Sequence, residues 1–150
     1  MIVICELNEV LVGTASGSKF PQGVWDLSFN EKTWNRLKSG VEKGVVTGIG
    51  IVSNEGGIST GHQCVESFEA KMNYVRWCIM EWTCISSISC TYCPDYGPLR
   101  LPNTGMIDSV MASLNCSVDQ CLAIYFTDWM KEACDRLGMK SMPLHVFTNY

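Results

Sequence analysis

From residue 45 onward this chain switches repeatedly between short runs of strand character and stripes of helical period, and that alternation most constrains its fold. Val45-Val46-Thr47-Gly48-Ile49-Gly50-Ile51-Val52 is a clean apolar run, the pattern of a buried strand. It is followed by the glycine-rich turn Asn54-Glu55-Gly56-Gly57 and by Ile58-Ser59-Thr60, which together read as a β-hairpin. Val65, Phe68, Met72, Val75, Ile79 and Trp82 then recur at alternating steps of three and four, with Glu69, Asn73, Arg76 and Glu81 off the stripe. That is an amphipathic helix. Thr83 to Ser89 reads as a strand, Met106 to Leu114 as a helix and Leu122 to Thr127 as a strand. Asp128 to Leu137 is a helix ended by Gly138, and Leu144 to Thr148 is a last strand. Strands separated by helices imply parallel pairing in a sheet covered by helices.

The first part of the chain is less regular. Ile2 to Cys5 and Val10 to Val12 suggest a short hairpin around Leu7-Asn8-Glu9, followed by a Gly/Ser/Pro-rich loop from Gly13 to Gly23. Asn30 is placed to cap a helix running to Glu42, with Trp34, Leu37 and Val41 on one face and Gly44 as its stop. Pro94, Pro98 and Pro102 delay any helix until about Thr104. No repeat or linker divides the sequence, so residues 1–150 read as one domain, with 1–44 an N-terminal extension and 45–150 a catalytic core.

At 150 residues and 47% hydrophobic the chain can bury a core of its own. Its formal charge is −4, so the global field that steers proteins onto nucleic acid is missing, although a local basic groove remains open. Lys32, Arg36, Lys38 and Lys43 read as the solvated face of a helix. No run approaches the ~20 apolar residues of a membrane span, and Met1 to Cys5 lacks the charged leader and cleavage site of a signal peptide. The nine cysteines are an odd number spread through core-like segments. This usage fits a soluble cytoplasmic protein in a reducing compartment better than a disulfide scaffold, and Cys116, Cys121 and Cys134 read as small buried side chains. Trp77 and Trp82 read as core.

Two short motifs carry the chemistry. Cys64-Val65-Glu66 opens the strong helix, and Cys90-Thr91-Tyr92-Cys93 follows the next strand. Three thiolates from Cys64, Cys90 and Cys93 would hold a tetrahedral Zn2+ and leave its fourth position for water, with His62 as an alternative ligand. A bound metal lowers the pKa of that water, and Glu66, two residues from a ligand, could move its proton.

The strand order and these motifs resemble the cytidine deaminase superfamily over roughly residues 45 to 148, although Ser89 stands where most members carry proline. The resemblance implies a three-layer α/β fold with a mixed sheet of about five strands and the last two strands parallel. It implies Cys64, Cys90 and Cys93 as zinc ligands, Glu66 as the acid/base, and Ser59, Thr60, His62 and Tyr92 along the pocket wall. The reaction implied is hydrolysis of an amidine C–N bond, converting cytosine to uracil in single-stranded nucleic acid, as in a bacterial toxin domain. A free nucleoside or nucleotide is the alternative substrate. A non-catalytic module with a structural zinc is the alternative class.

Overall fold

In a computed structural model the described residues are 1–149. They form a five-stranded sheet flanked on both faces by helices. Strand β1 (Ile2–Glu6) leads to a small antiparallel ribbon of β2 (Val12–Thr14) and β3 (Leu27–Phe29), then to helix α1 (Glu31–Glu42). Strand β4 (Gly48–Asn54), helix α2 (Val65–Thr83), strand β5 (Ile88–Cys93) and helix α3 (Gly105–Leu114) follow. Strand β6 (Cys121–Tyr125), helix α4 (Asp128–Leu137), strand β7 (Lys140–Pro143) and the short helix α5 (Leu144–Phe147) complete the chain.

The sheet order is β5-β4-β1-β6-β7, and every pairing in it is parallel. The α/β layering, the five strands and the parallel β6–β7 pair are therefore as anticipated, whereas the mixed sheet of the deaminase resemblance is replaced by a wholly parallel one. The hairpin anticipated for Ile2 to Cys5 is not formed. β1 lies in the middle of the sheet, registered with β4 on one side and β6 on the other. A central parallel strand is covered on both faces and needs continuous apolar sequence, and all five residues of β1 are buried.

Strand alternation divides the core in two. Val3 and Cys5 face the layer built by α1 and α2, where Leu37, Phe68, Met72, Val75 and Ile79 are buried. Ile2 and Ile4 face the layer of α3 and α4, with Met106, Ile107, Val110, Met130 and Ala133. The stripe on α2 holds except at its end, where Trp82 is largely exposed, as is Trp77. Lys38 Nζ instead lies 4.2 Å from the centre of the Trp82 ring, a cation–π contact at the surface.

Three boundaries differ from the sequence pattern. Ile58 to Thr60 is a turn and not a strand, because Ile58 N and Thr60 N fold back onto the carbonyls of Glu55 and Gly56. Cys84 adopts a left-handed conformation (φ 61) that ends α2, so the next strand begins at Ile88. Residues 144–147 form a helical turn, leaving Lys140–Pro143 as the last strand.

Candidate functional site

In an open parallel sheet, ligands bind outside the carboxyl ends of the strands where the winding direction reverses. Here the chain moves outward from β1 through β4 to β5, then returns to β6 beside β1 and moves on to β7. The reversal thus falls between β1 and β6. Glu6, the last residue of β1, reaches across that gap. Its Oε2 accepts from Phe126 N at 2.6 Å and Thr127 N at 2.9 Å, and its Oε1 accepts from the Thr127 hydroxyl at 2.5 Å. These donors sit at the N-terminal end of α4, where a negative group complements the helix dipole, and Thr127 also caps the helix by accepting from Met130 N. Glu6 is only 7% exposed. Burial raises its pKa above the usual carboxylate value, although the bonds from Thr127 and Phe126 oppose the shift. The crevice at the reversal is consequently latched by this carboxylate.

An open cleft lies beside the latch, at the ends of β1 and β4. It has a volume of about 490 Å³ and is bordered by Asn8, Lys19, Phe20, Glu55, Gln63, Lys71, Tyr96, Arg100 and Trp129, among others. At its floor a polar network joins three elements. Lys71 Nζ, from α2, donates to Asn8 Oδ1 at 2.8 Å. Asn8 Nδ2 donates to Glu55 Oε1 at 3.1 Å and to Ser53 Oγ at 3.4 Å. Ser53 Oγ in turn donates to Glu55 Oε1 at 2.8 Å, and Gln63 Nε2 donates to Glu55 Oε2 at 2.9 Å. Glu55 and Lys71 are 4% and 7% exposed. Burial lowers the Lys71 pKa, with the nearby Glu55 carboxylate acting the other way.

Glycine shapes one wall. A Cβ added to Gly56 would stand 2.7 Å from Tyr96 Cζ, and one on Gly57 would stand 2.8 Å from Phe20 Cζ. Only glycine lets both rings lie against this backbone. Arg100 is held between aromatic faces, 4.3 Å from the Tyr96 ring centre and 5.4 Å from that of Trp129. Three cationic side chains and one carboxylate line the cleft, in a chain whose formal charge is −4. Locally, then, the surface favours an anion.

The residues singled out from the sequence are dispersed. Cys64 is the exposed residue preceding α2, and its thiol donates to Glu66 Oε2 at 2.7 Å. That bond holds the exposed Glu66 below the usual carboxylate range. Cys90 and Cys93 lie within β5 rather than on a turn. Three residues apart on a strand, side chains point to opposite faces. Cys90 accordingly packs toward the α1/α2 layer and Cys93 is buried in the α3/α4 layer. Desolvation pushes the Cys90 thiol up to about 11 and raises Cys93 as well, against the thiolate form that zinc requires. Among the described residues no three His, Cys, Asp or Glu side chains converge as a metal site. Zn2+ is therefore withdrawn as a cofactor.

Of the anticipated wall, Thr60 and His62 border the cleft, with Thr60 Oγ1 and His62 Nδ1 2.8 Å apart. Ser59 Oγ donates to Gly56 O, and Tyr92 donates to Glu69 Oε1 while packing edge-on against Phe68. Glu6, Asn8, Glu55 and Lys71 were missed. The available signal was Lys71 itself, a lysine three residues after Phe68 and four before Val75, on the buried side of a helix whose other stripe positions are apolar.

The described residues include no helix long and apolar enough to cross a membrane. The family described as polynucleotide kinase 3 phosphatase matches residues 1–140. Solved structures give the same fold. A D,D-heptose 1,7-bisphosphate phosphatase from B. bronchiseptica, complexed with magnesium and phosphate, is similar at a TM-score of 0.75 and 12% identity, over 95% of this chain and 78% of that one. A HAD-like phosphatase from Mesorhizobium loti is similar at 0.72 and 17% identity, over 92% and 68%. A HAD-superfamily hydrolase from Ehrlichia chaffeensis is similar at 0.63 and 12% identity, over 95% and 85%. No curated protein matches the sequence. These matches overturn the cytidine deaminase resemblance, and with it the cytosine substrate in single-stranded nucleic acid or as a nucleotide, the toxin reading and the structural-zinc alternative. Hydrolase is retained at the level of the family, and cleavage of an amidine C–N bond is not.

Proposed function

Because the chain belongs to the polynucleotide kinase 3 phosphatase family, we propose that its cleft takes a phosphate ester, with the phosphoryl group seated against Lys71. The observation that carries this reading is the buried Lys71 ammonium, fixed on Asn8 at the carboxyl edge of the parallel sheet. A charge-assisted bond from a pre-positioned ammonium to phosphate oxygen is strong and needs little reorganisation. Lys19 and Arg100 extend positive charge along the walls. Tyr96 and Trp129 present rings beside that charge, a pairing suited to a base or sugar face next to its phosphate. His62 and Thr60 supply polar groups on the rim.

Esters of the two kinds borne by similar proteins, a polynucleotide 3′ phosphate and a sugar bisphosphate, are the substrates to test. In hydrolysis, water adds to phosphorus as the P–O ester bond breaks, and the departing alcohol takes up a proton. Among the described residues Glu55 is the carboxylate bordering the cleft, and its Oε2, which accepts from Gln63 alone, keeps a lone pair able to take a proton from the water. The test compares binding and phosphate release for a 3′-phosphorylated oligonucleotide, a sugar bisphosphate and their unphosphorylated forms. Lys71→Met should weaken binding of the phosphorylated forms by about tenfold or more, whereas Glu55→Gln should retain binding and lose release. Equal affinity for phosphorylated and unphosphorylated forms would refute the proposal.

A further inference from the structure

The bisphosphate phosphatase similar in fold was seen with magnesium and phosphate, so the oxygen donors of this cleft can be tested against that ion. Mg2+ demands near-ideal octahedral oxygen coordination, commonly one or two carboxylates together with water and substrate phosphate. Glu6 cannot turn toward the cleft without giving up three donors at the start of α4. Asn8 brings a neutral amide, and its oxygen already holds the Lys71 ammonium at 2.8 Å. Both oxygens of Glu55 are engaged, Oε1 by Asn8 and Ser53 and Oε2 by Gln63. Among the described residues no three His, Cys, Asp or Glu side chains come together to replace them. The side chains at the carboxyl edge do not fit a magnesium ion, and a buried ammonium already supplies positive charge there.

We infer that this cleft holds its phosphate ester through the fixed cation of Lys71 in place of a divalent metal, so that ligand binding is independent of Mg2+. This rests on the phosphate-ester reading above. It adds a departure from the metal-bound phosphate of the similar phosphatase, carried by the particular bonds of Glu6, Asn8 and Glu55.

The experiment uses the isotope-labelled full chain and inorganic phosphate as probe. Phosphate is titrated in chelator and again in excess Mg2+, followed through the Asn8 and Gln63 side-chain amides, with Mg2+ alone as a third titration. Expected are matching phosphate affinities in the two buffers and no saturable response to Mg2+ alone. Lys71→Met should weaken phosphate by about tenfold or more, the loss of one charge-assisted bond, and Mg2+ should not restore it. Lys71→Arg, which keeps the charge, should bind more tightly than Lys71→Met, and thermal melts of both variants establish that they are folded. Phosphate binding that requires Mg2+, or saturable Mg2+ shifts at Asn8, would overturn the inference while leaving the phosphate-ester reading intact. Absence of phosphate binding in both buffers would overturn the phosphate-ester reading and, with it, the inference.

Discussion

Replacing Glu6 by alanine tests the latch on which the reading of the cleft depends. The substitution removes three hydrogen bonds to a charged acceptor, from Phe126 N, Thr127 N and the Thr127 hydroxyl. Bonds to charged groups are worth about 1.5–3 kcal/mol each, so the gross loss is at least ~4.5 kcal/mol. Two effects offset it. Phe126 is exposed and Thr127 half-buried, so water can reach the freed N–H groups, and alanine has no carboxylate to desolvate. A net destabilisation of about 2–3 kcal/mol follows, or a fall in Tm of roughly 4–12 °C for a domain of this size. Urea unfolding followed by far-UV circular dichroism, with the slope unchanged, is the assay.

Glu6→Gln keeps an oxygen for the two N–H donors and should lose much less. It should also change the pH profile. Burial raises the Glu6 pKa in the folded state, so its contribution is present in full below the unfolded carboxylate value and is lost as pH rises through the raised folded value. The parent's stability should therefore decline across that window relative to Glu6→Gln. An alanine variant within about 0.5 kcal/mol of the parent, the range of an ordinary surface change, would show that the carboxylate is not engaged. It would then be free to turn toward the cleft, where it could serve as a carboxylate ligand for Mg2+.

Two other perturbations probe the packing and the cleft. A Cβ on Gly50 would collide with Val110 Cγ1, so Gly50→Ala should cost about 1–3 kcal/mol through overpacking between β4 and α3. The double variant with Val110→Ala should unfold at higher urea concentration than the sum of the single losses predicts. Burial lowers the Lys71 pKa, so the affinity of the cleft for sulfate, whose charge is constant over the range, should fall with rising pH below the ordinary lysine value. Calorimetric titration across alkaline pH would measure this, and an affinity that persists up to the ordinary lysine range would refute it.

Much of the layering was legible because it is written in local periodicity. The stripe from Phe68 to Ile79 gives α2 its buried face, Asn30 caps α1 by accepting from Thr33 N, and Gly138 ends α4 with φ 68. The place of β1 was not legible. Five buried residues satisfy a hairpin or a central strand equally well, and nothing within Ile2–Glu6 says that its partners begin at Gly48 and Cys121. The same limit applies to the cysteine pair. Cys90-Thr91-Tyr92-Cys93 has the spacing of a metal-binding turn, but it continues a strand paired with Ile51–Asn54, and the extended backbone sends its two sulfurs to opposite sides of the sheet. Spacing identifies a ligand pair only when the conformation between the two residues is known.

The central position of β1 also decides which chemistry the molecule presents. With β1 at the edge, Glu6 and Asn8 would be remote from Thr127 and Lys71; with β1 between β4 and β6, the carboxyl edge collects residues far apart in sequence. The Glu6–Thr127 and Asn8–Lys71 bonds span 121 and 63 positions. The strand's end then serves two purposes with side chains two residues apart. Glu6 points along the sheet edge to close the gap toward β6, and Asn8 points to the opposite side to position the ammonium. A carboxylate so engaged is a poor metal ligand and a poor nucleophile, because either role must first break bonds that hold α4 in place. A lysine so engaged is ready for an anion, since an incoming phosphate oxygen can take the place of one amide oxygen without moving the backbone. On the proposed reading, the same short segment, Glu6-Leu7-Asn8, therefore suits the cleft to holding a phosphate ester without a metal.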